Sequence, residues 1–435
     1  MKSVLEFGAV GSGVVKDTAA IQRALDSGGI VNFPPGIYLT GSLYLRSHGG
    51  ICLEAGAVLK ASPDPADYNA PDFCPQNTAS TVEKTSGAHL LIAVEQQDIT
   101  IDGDGVIDGS REAFFDPEKG SRDEFTGWRP SQMLYFCECR DVRLRNVALI
   151  NSPYWACLFH GCEHVRIQGV TVRNHPKVWN GDGIDIDSCR KVTVSDCDIQ
   201  SSDDSLTVRA AGQGRLRHAP CLSEQITVTN CLLSSGQAAV RLGVGTGIIR
   251  DCVFSNITMD GCQYGIVLVT TFWPDQFPGG APGVEIHDIL FENMIIRAEM
   301  PFYLTDTWKG PPRQQSNDIR NITFRSIHAF GSRTNVLQGD SRCSTKNLLF
   351  SDVRLTVAGG GQIQPDLPEY RGDNVYKRPC AWYIVNTKQV YFRNCTCLWE
   401  TASCSWRQTF LLDHNFALEM DHCDWRAPDG GMTGL

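Results

Sequence analysis

The sequence predicts an all-β chain wound as a right-handed parallel β-helix, a solenoid with a short N-terminal cap helix. Two observations carry this. A motif of alternating Val or Ile with polar residues, broken by a small or polar corner, recurs between residues 98 and 399. Its early starts, 141, 164 and 191, are 23 and 27 residues apart (164 − 141 and 191 − 164). Repeats of that length built from short strands stack as a solenoid, each coil burying the apolar face of the next. The Leu/Asn consensus of leucine-rich repeats is missing, and so is the signature of a propeller, whose blades need about 40 residues.

At the N-terminal end, "KDTAAIQRALDSGG" (16–29) predicts the cap helix, with Asp17 as N-cap, an apolar stripe of Ile21, Ala24 and Leu25, and Gly28-Gly29 as its stop. The strand motif then runs through "DITIDGDGVIDG" (98–109), "DVRLRNVALIN" (141–151), "HVRIQGVTVRN" (164–174), "KVTVSDCDIQS" (191–201) and "QITVTNCLLSS" (225–235). It continues at 248–259, 284–296, 319–329, 345–355 and 389–399. Longer insertions interrupt it at about 62–95, 110–132, 210–222, 272–283, 306–318 and 357–387. Several come after the same part of the coil and are expected to crowd one rim of a groove. The expected organisation is one domain over 1–435, with the cap in about 1–50 and the catalytic coils in about 140–310.

Composition narrows the function. A net charge of −10 argues against long-range steering of nucleic acid or of a polyanionic polysaccharide, although a locally basic cleft stays open. "MKSVLEFGAVGSG" has no apolar signal core, and no run approaches the roughly 18 apolar residues of a membrane span. The expectation is therefore a cytoplasmic protein whose 18 cysteines are reduced and act as small buried hydrophobes. "CEC" (137–139) and "CTC" (395–397) lack zinc-site spacing, so no metal and no cofactor are expected. The oligomeric state is not legible.

The densest run of Asp, "NGDGIDIDSCRKVTVSDCDIQSSDD" (180–204), is also strand-patterned. Asp182 and Asp204 are 22 residues apart, about one coil, and His160 lies 22 residues before Asp182. The repeat therefore predicts His160, Asp182 and Asp204 side by side on successive coils, with Asp203 adjoining. Three carboxylates so close repel one another, which folding alone does not favour. One can be kept protonated as a general acid while the others stay ionised, the requirement for cleaving a glycosidic bond. An acid and base roughly 6.5–9.5 Å apart admit a water between them, and the reaction then inverts the anomeric centre. Asp185, Asp187, Asp196 and Asp198 are expected to be corner and face residues of the solenoid.

These residues resemble the polygalacturonase family, glycoside hydrolase family 28, within the pectin-lyase-like superfamily. The resemblance covers most of residues 4–270. The segment 7–62, beginning "FGAVGSGVVKDTAAIQRAL", is similar to that family's N-terminal region, and "IDGDGVIDG", "NSPYW" (151–155), "NGDGIDI" and "SSDDSLTVRA" are similar to its elements. The resemblance implies Asp203 as general acid, Asp182 and Asp204 as the pair that holds and activates water, and Arg209 as a supporting basic residue. Two signatures are missing. Gln237 stands where the family has the His of Gly-His-Gly, and Gln237, Arg241 or His160 are candidates to compensate. Val267 and Val269 stand where the family has Arg-x-Lys, a cation pair that would grip a galacturonate carboxylate. A uronate desolvated there without its counter-charges would lose roughly 2–5 kcal/mol.

The resemblance and its departures together imply an inverting glycoside hydrolase, and the insertions crowding the groove, with the missing signal core, point to exo action. It would release a terminal, neutral sugar from a plant-derived glycoside or a pectin side-chain oligosaccharide. Trp155, Trp179, Trp273 and Trp308 are aromatic candidates for stacking on sugar or aglycone, and Asp306 for binding hydroxyls. The expected partner is a small carbohydrate or glycoside, with no nucleic acid and no membrane. An exo-polygalacturonase or rhamnogalacturonan-type hydrolase, a β-helix lyase or transglycosidase, and a carbohydrate-binding β-helix remain as alternatives.

Overall fold

The computed structural model describes residues 1–80, 83–115, 127–212, 215–271, 283–307, 316–359, 380–400, 406, 408–414 and 417–425. They form two compact units, 1–206 with 212–222, and 207–211 with 223–435. The chain is all-β and folds as a right-handed parallel β-helix.

In the first unit every strand pairs in parallel with its counterpart one coil away. Ile99, Val142, Val165 and Val192 form one interior column. Ile107, Leu149, Val172 and Ile199 form a second, and Phe136, Phe159 and Ile186 belong to a third. All are essentially without exposed surface. The alternating Val and Ile of the motif produce this directly, because in a strand every second side chain points the same way. The polar corners also recur in register. Asp98, Asp141, His164 and Lys191 each adopt a left-handed backbone, with φ of 55°, 56°, 57° and 56°. The chain therefore turns at the same point in each coil, whatever the length of its return path.

The cap helix spans Thr18–Asp26 and buries Ala20, Ile21, Ala24 and Leu25. Asp17 precedes it but makes no side-chain cap. Its carboxylate instead accepts from the backbone N–H of Val10 at 2.7 Å and of Gly11 at 2.9 Å, so it fastens the preceding turn rather than the helix end.

The second unit has longer, continuous strands, among them Ile248–Thr271 and Glu285–Thr307. Its interior carries a ladder of rings. Phe254, Phe291, Phe324, Phe350 and Phe392 occupy one column, with successive centroids 4.9, 5.2, 4.6 and 4.8 Å apart.

Candidate active site

Two turns of the first unit build the site. Gly183 donates its N–H to Asp204 O at 2.9 Å, and Ile184 to Ser205 O at 3.0 Å. This register sets Asp182 opposite Asp204 on the next coil. The coils approach so closely that a Cβ on Gly183 would lie 2.4 Å from Ser205 O, and one on Gly181 would lie 2.1 Å from Ser202 Oγ. Buried side chains then fix the backbone that presents Asp182. Ser202 Oγ donates to Val178 O at 2.7 Å, and Asn174 Nδ2 reaches Gly181 O and Asp182 O, each at 3.1 Å. On the next coil Ser201 Oγ bonds Asp203 O at 2.7 Å and pairs with Ser205 Oγ at 3.0 Å. The serines of "SSDDS" are thus the scaffold of the Asp pair.

The outcome is a compact triad. One carboxylate oxygen from each of Asp182, Asp203 and Asp204 lies within 4.8 Å of the other two. Asp182 and Asp204 are buried, 2% and 4% exposed, whereas Asp203 is half-buried. The nearest oxygens are closer than the roughly 6.5–9.5 Å expected between carboxyl groups of an inverting pair. They suit another task. A water hydrogen-bonded to two carboxylates holds their oxygens about 4.5 Å apart, two bonds of about 2.75 Å meeting at a tetrahedral angle.

His160 is not beside them. Its strand, Cys157–His160, pairs with Ile184–Asp187, so His160 stands opposite Asp187, with Nδ1 3.4 Å from Asp187 Oδ2. The residue opposite Asp182 is Trp155, because Ala156 N–H bonds Asp182 O at 2.9 Å and Cys157 N–H bonds Gly183 O at 3.1 Å. The coil from Trp155 to Asp182 takes 27 residues (182 − 155), so subtracting 22 stops five residues short. Trp155 is nearly buried, with its ring stacked on Tyr154 at 5.1 Å. Trp179 is half-buried on the turn before Asp182. Asp185 and Asp187, expected among the corner and face residues, lie within a strand, alternate with the interior Ile184 and Ile186, and are buried next to Leu158 and His160 in their columns. Asp196 is a corner, with φ 58°, and Asp198 is a surface residue paired with Arg173.

The remaining candidates belong to the second unit. The carbonyl of Arg209 accepts from Ser223 Oγ at 2.6 Å. Gln237 is half-buried, its N–H bonded to Ser235 Oγ at 2.9 Å and its carbonyl to Tyr264 N–H at 2.8 Å. Arg241 is buried and opposite Val267, which is opposite Tyr303. Val267 and Val269 have no exposed surface and pack in an apolar cluster with Tyr264, Met300, Tyr303 and Val336. Asp306 is also fully buried and accepts from Gln338 Nε2 at 3.1 Å, so it presents no surface to a sugar. Trp273 and Trp308 lie outside the described residues. A groove of about 750 Å³ runs past Gly236, lined by Asp260, Gln263, Arg297, Phe330 and Arg333.

Sequence patterns did not reveal Arg129, Tyr154, Glu83 or Asn174, which are bonded to one another or to the turn that carries Asp182. Arg129 sits in an insertion with no periodicity, and nothing in its neighbours marks it as buried. Two groups among the described residues bring ligand atoms close enough for a metal ion, the Asp triad and Glu95 with Glu138 and His218. Glu138 is already engaged by three backbone N–H groups, those of Arg217, His218 and Ala219.

Comparison with known proteins agrees with this construction. Residues 72–236 match the model of glycosyl hydrolases family 28. The chain is 26% identical over 360 residues to a probable polygalacturonase of Vitis vinifera, covering 71% of this chain and 72% of that protein. It is 25% identical over 436 residues to an exo-poly-alpha-D-galacturonosidase of Dickeya chrysanthemi, covering 86% of this chain and 70% of that protein. Among solved structures, the family 28 exopolygalacturonase of Yersinia enterocolitica superposes with a TM-score of 0.70 at 18% identity, covering 97% and 77% of the two chains. An exopolygalacturonase of Thermotoga maritima gives 0.60 at 19%, covering 96% and 91%, and both support the fold. The family match spans all three carboxylates that the coils bring together, so over that segment the chain is similar to glycosyl hydrolases family 28, and it is an enzyme that hydrolyses O-glycosidic bonds.

Proposed function

We propose that this enzyme releases a terminal, neutral sugar from a pectin-derived oligosaccharide or plant glycoside, with inversion. Asp203, the most exposed of the triad, is the general acid and gives its proton to the glycosidic oxygen. Asp182 and Asp204 hold a water against the opposite face of the sugar ring and take a proton from it as it attacks. The bond to the leaving group breaks as the new C–O bond forms. Solvent then returns a proton to Asp203 and removes one from the buried pair. The observation that carries the substrate reading is the burial of Val267 and Val269 in an apolar cluster, at the positions where related enzymes are expected to grip a uronate.

An exo-polygalacturonase is the second reading. It is supported by the similarity to the Dickeya enzyme and by Arg297 and Arg333, which could meet a uronate in the groove past Gly236. Arg333 is already paired with Glu299 at 2.8 Å, which weakens it as a free carboxylate reader. Proton NMR of reactions with rhamnosides, arabinosides, galactosides, apiosides and oligogalacturonides tests both. The neutral-sugar reading expects turnover of a neutral glycoside with the opposite anomer released first. Faster cleavage of oligogalacturonides than of every neutral substrate sinks it.

A reducing compartment such as the cytoplasm belongs to the same proposal. In its support, most described cysteines, such as Cys157, Cys162 and Cys252, are buried as small apolar side chains. Detection of the native protein in an oxidising compartment would overturn this.

A further inference from the structure

We propose that Arg129 is a positioning residue for the hydrolysis, clamping the turn that presents Asp182 and setting a fixed positive charge behind it. This rests on the reading of Asp182 as one of the water-holding carboxylates, and it adds a residue that the resemblance does not supply.

Arg129 has no exposed surface. Its guanidinium donates to three backbone carbonyls from three separate segments: Glu83 O at 2.7 Å, Pro153 O at 3.1 Å and Trp179 O at 2.6 Å. Trp179 is three residues before Asp182, so the last bond acts on the turn itself. The cation also lies over aromatic faces, 4.8 Å from the Tyr154 ring centre and 5.5 Å from that of Trp179. The Tyr154 hydroxyl in turn donates to the Glu83 carboxylate.

A clamp alone does not need a charge. Burying a guanidinium costs several kcal/mol, and neutral donors such as the amide of Asn174 already hold the neighbouring carbonyls. The charge has a use because of what surrounds it. Burial pushes the Arg129 guanidinium down to about 10, and Tyr154, Glu83 and Asp182 act against that shift, so it stays cationic at neutral pH. Burial drives the Tyr154 phenol far up, and the Glu83 and Asp182 carboxylates push it the same way, so Tyr154 stays neutral. Asp182 therefore has Asp203 and Asp204 close by, and lies near enough to the Arg129 cation and the Tyr154 phenol for its charge to act on both. The like charge of Asp204 opposes its ionisation, and a nearby buried cation offsets it.

The test is a carbon-13 NMR titration of the full chain labelled at the Asp side-chain carboxyl, with the Asp182 signal assigned by its loss in Asp182→Asn. Arg129→Gln keeps donors but removes the charge, and the Asp182 midpoint is expected to rise by about one pH unit or more. Arg129→Lys keeps the charge, and the midpoint is expected to stay near that of the wild type. A folded Arg129→Gln protein whose Asp182 titrates as in the wild type overturns the proposal. If that variant does not fold, Arg129→Lys decides, and a folded protein whose Asp182 midpoint rises by about one pH unit although the charge is kept overturns the proposal. Retained turnover in Asp182→Asn would instead overturn the catalytic reading of Asp182 while leaving the titration result standing.

Discussion

The three carboxylates differ in exposure, and that difference divides their roles. Asp203 reaches solvent and can be reprotonated in each cycle, while Asp182 and Asp204 are enclosed and suited to holding one water. Asp203→Asn is expected to lower kcat by about 10³-fold or more with an unchanged circular dichroism spectrum, because it removes the acid but not the shape. Gly183→Ala is expected to destabilise by about 1–3 kcal/mol in urea unfolding, since its Cβ would meet both Ser205 O and Ile199. The pairing of Asp182 with Asp204 was legible because that coil happens to match the 22-residue count. His160 was misplaced because the coil that runs from it to Asp187 is five residues longer than 22, and counting residues is then no guide to neighbours. Asp185 and Asp187 do alternate with the interior Ile184 and Ile186, as face residues would, but their burial was not legible. Polar residues are usually exposed, and only the strand register shows that these two are buried within a column of the sheet.

At the scale of elements, the segment 212–222 shows how an insertion is fastened. The Glu138 carboxylate accepts from Arg217 N at 3.1 Å, Ala219 N at 2.8 Å and Gln76 Nε2 at 2.8 Å, as well as from His218 N. Burial pushes the Glu138 carboxyl up, but the bonds from Gln76 and the three backbone N–H groups outweigh it and hold it below its usual value. A depressed folded-state value stabilises the segment above the unfolded value, near 4.3, and that stability is lost as pH falls through the folded one. Hydrogen exchange at amides 217–219 is expected to accelerate below about pH 4, and Glu138→Gln to accelerate it at neutral pH by about 10-fold, corresponding to about 1.4 kcal/mol. Unchanged exchange in Glu138→Gln would mean that other contacts hold the segment. The cap helix was legible to within a residue at its start, from its apolar stripe and its glycine stop. The use of Asp17 was not, since an Asp before a helix can equally bond the turn on its other side.

For the molecule as a whole, the fold was legible because a solenoid repeats its message in every coil, so no single motif had to be decisive. Substrate preference was less so, because it depends on which side chains a column exposes. Val267 and Val269 showed what was missing from the sequence, but only the structure showed them walled off among Tyr264, Tyr303 and Val336. Solenoid stability is a sum of nearest-neighbour interfaces, and the phenylalanine ladder is a run of such interfaces. Phe324→Ala, between Phe291 and Phe350, is expected to cost about 3–5 kcal/mol and to weaken exchange protection in both adjoining coils rather than in its own alone. Protection lost only at residue 324 would argue that the rings do not couple.

The left-handed corners have one last consequence. Ile99, Val142, Val165 and Val192 stay in one column although 43, 23 and 27 residues separate them (142 − 99, 165 − 142 and 192 − 165). Length on the return path is therefore almost free, while parity within a strand is not. One residue inserted inside Ile184–Asp187 would turn Asp185 and Asp187 into the apolar interior and bring Ile184 and Ile186 out. Twenty residues added beyond a corner leave every column where it was. Gaps in an alignment of such chains carry little information about the reaction when they fall between strands, and a single odd-numbered gap within one is close to disqualifying.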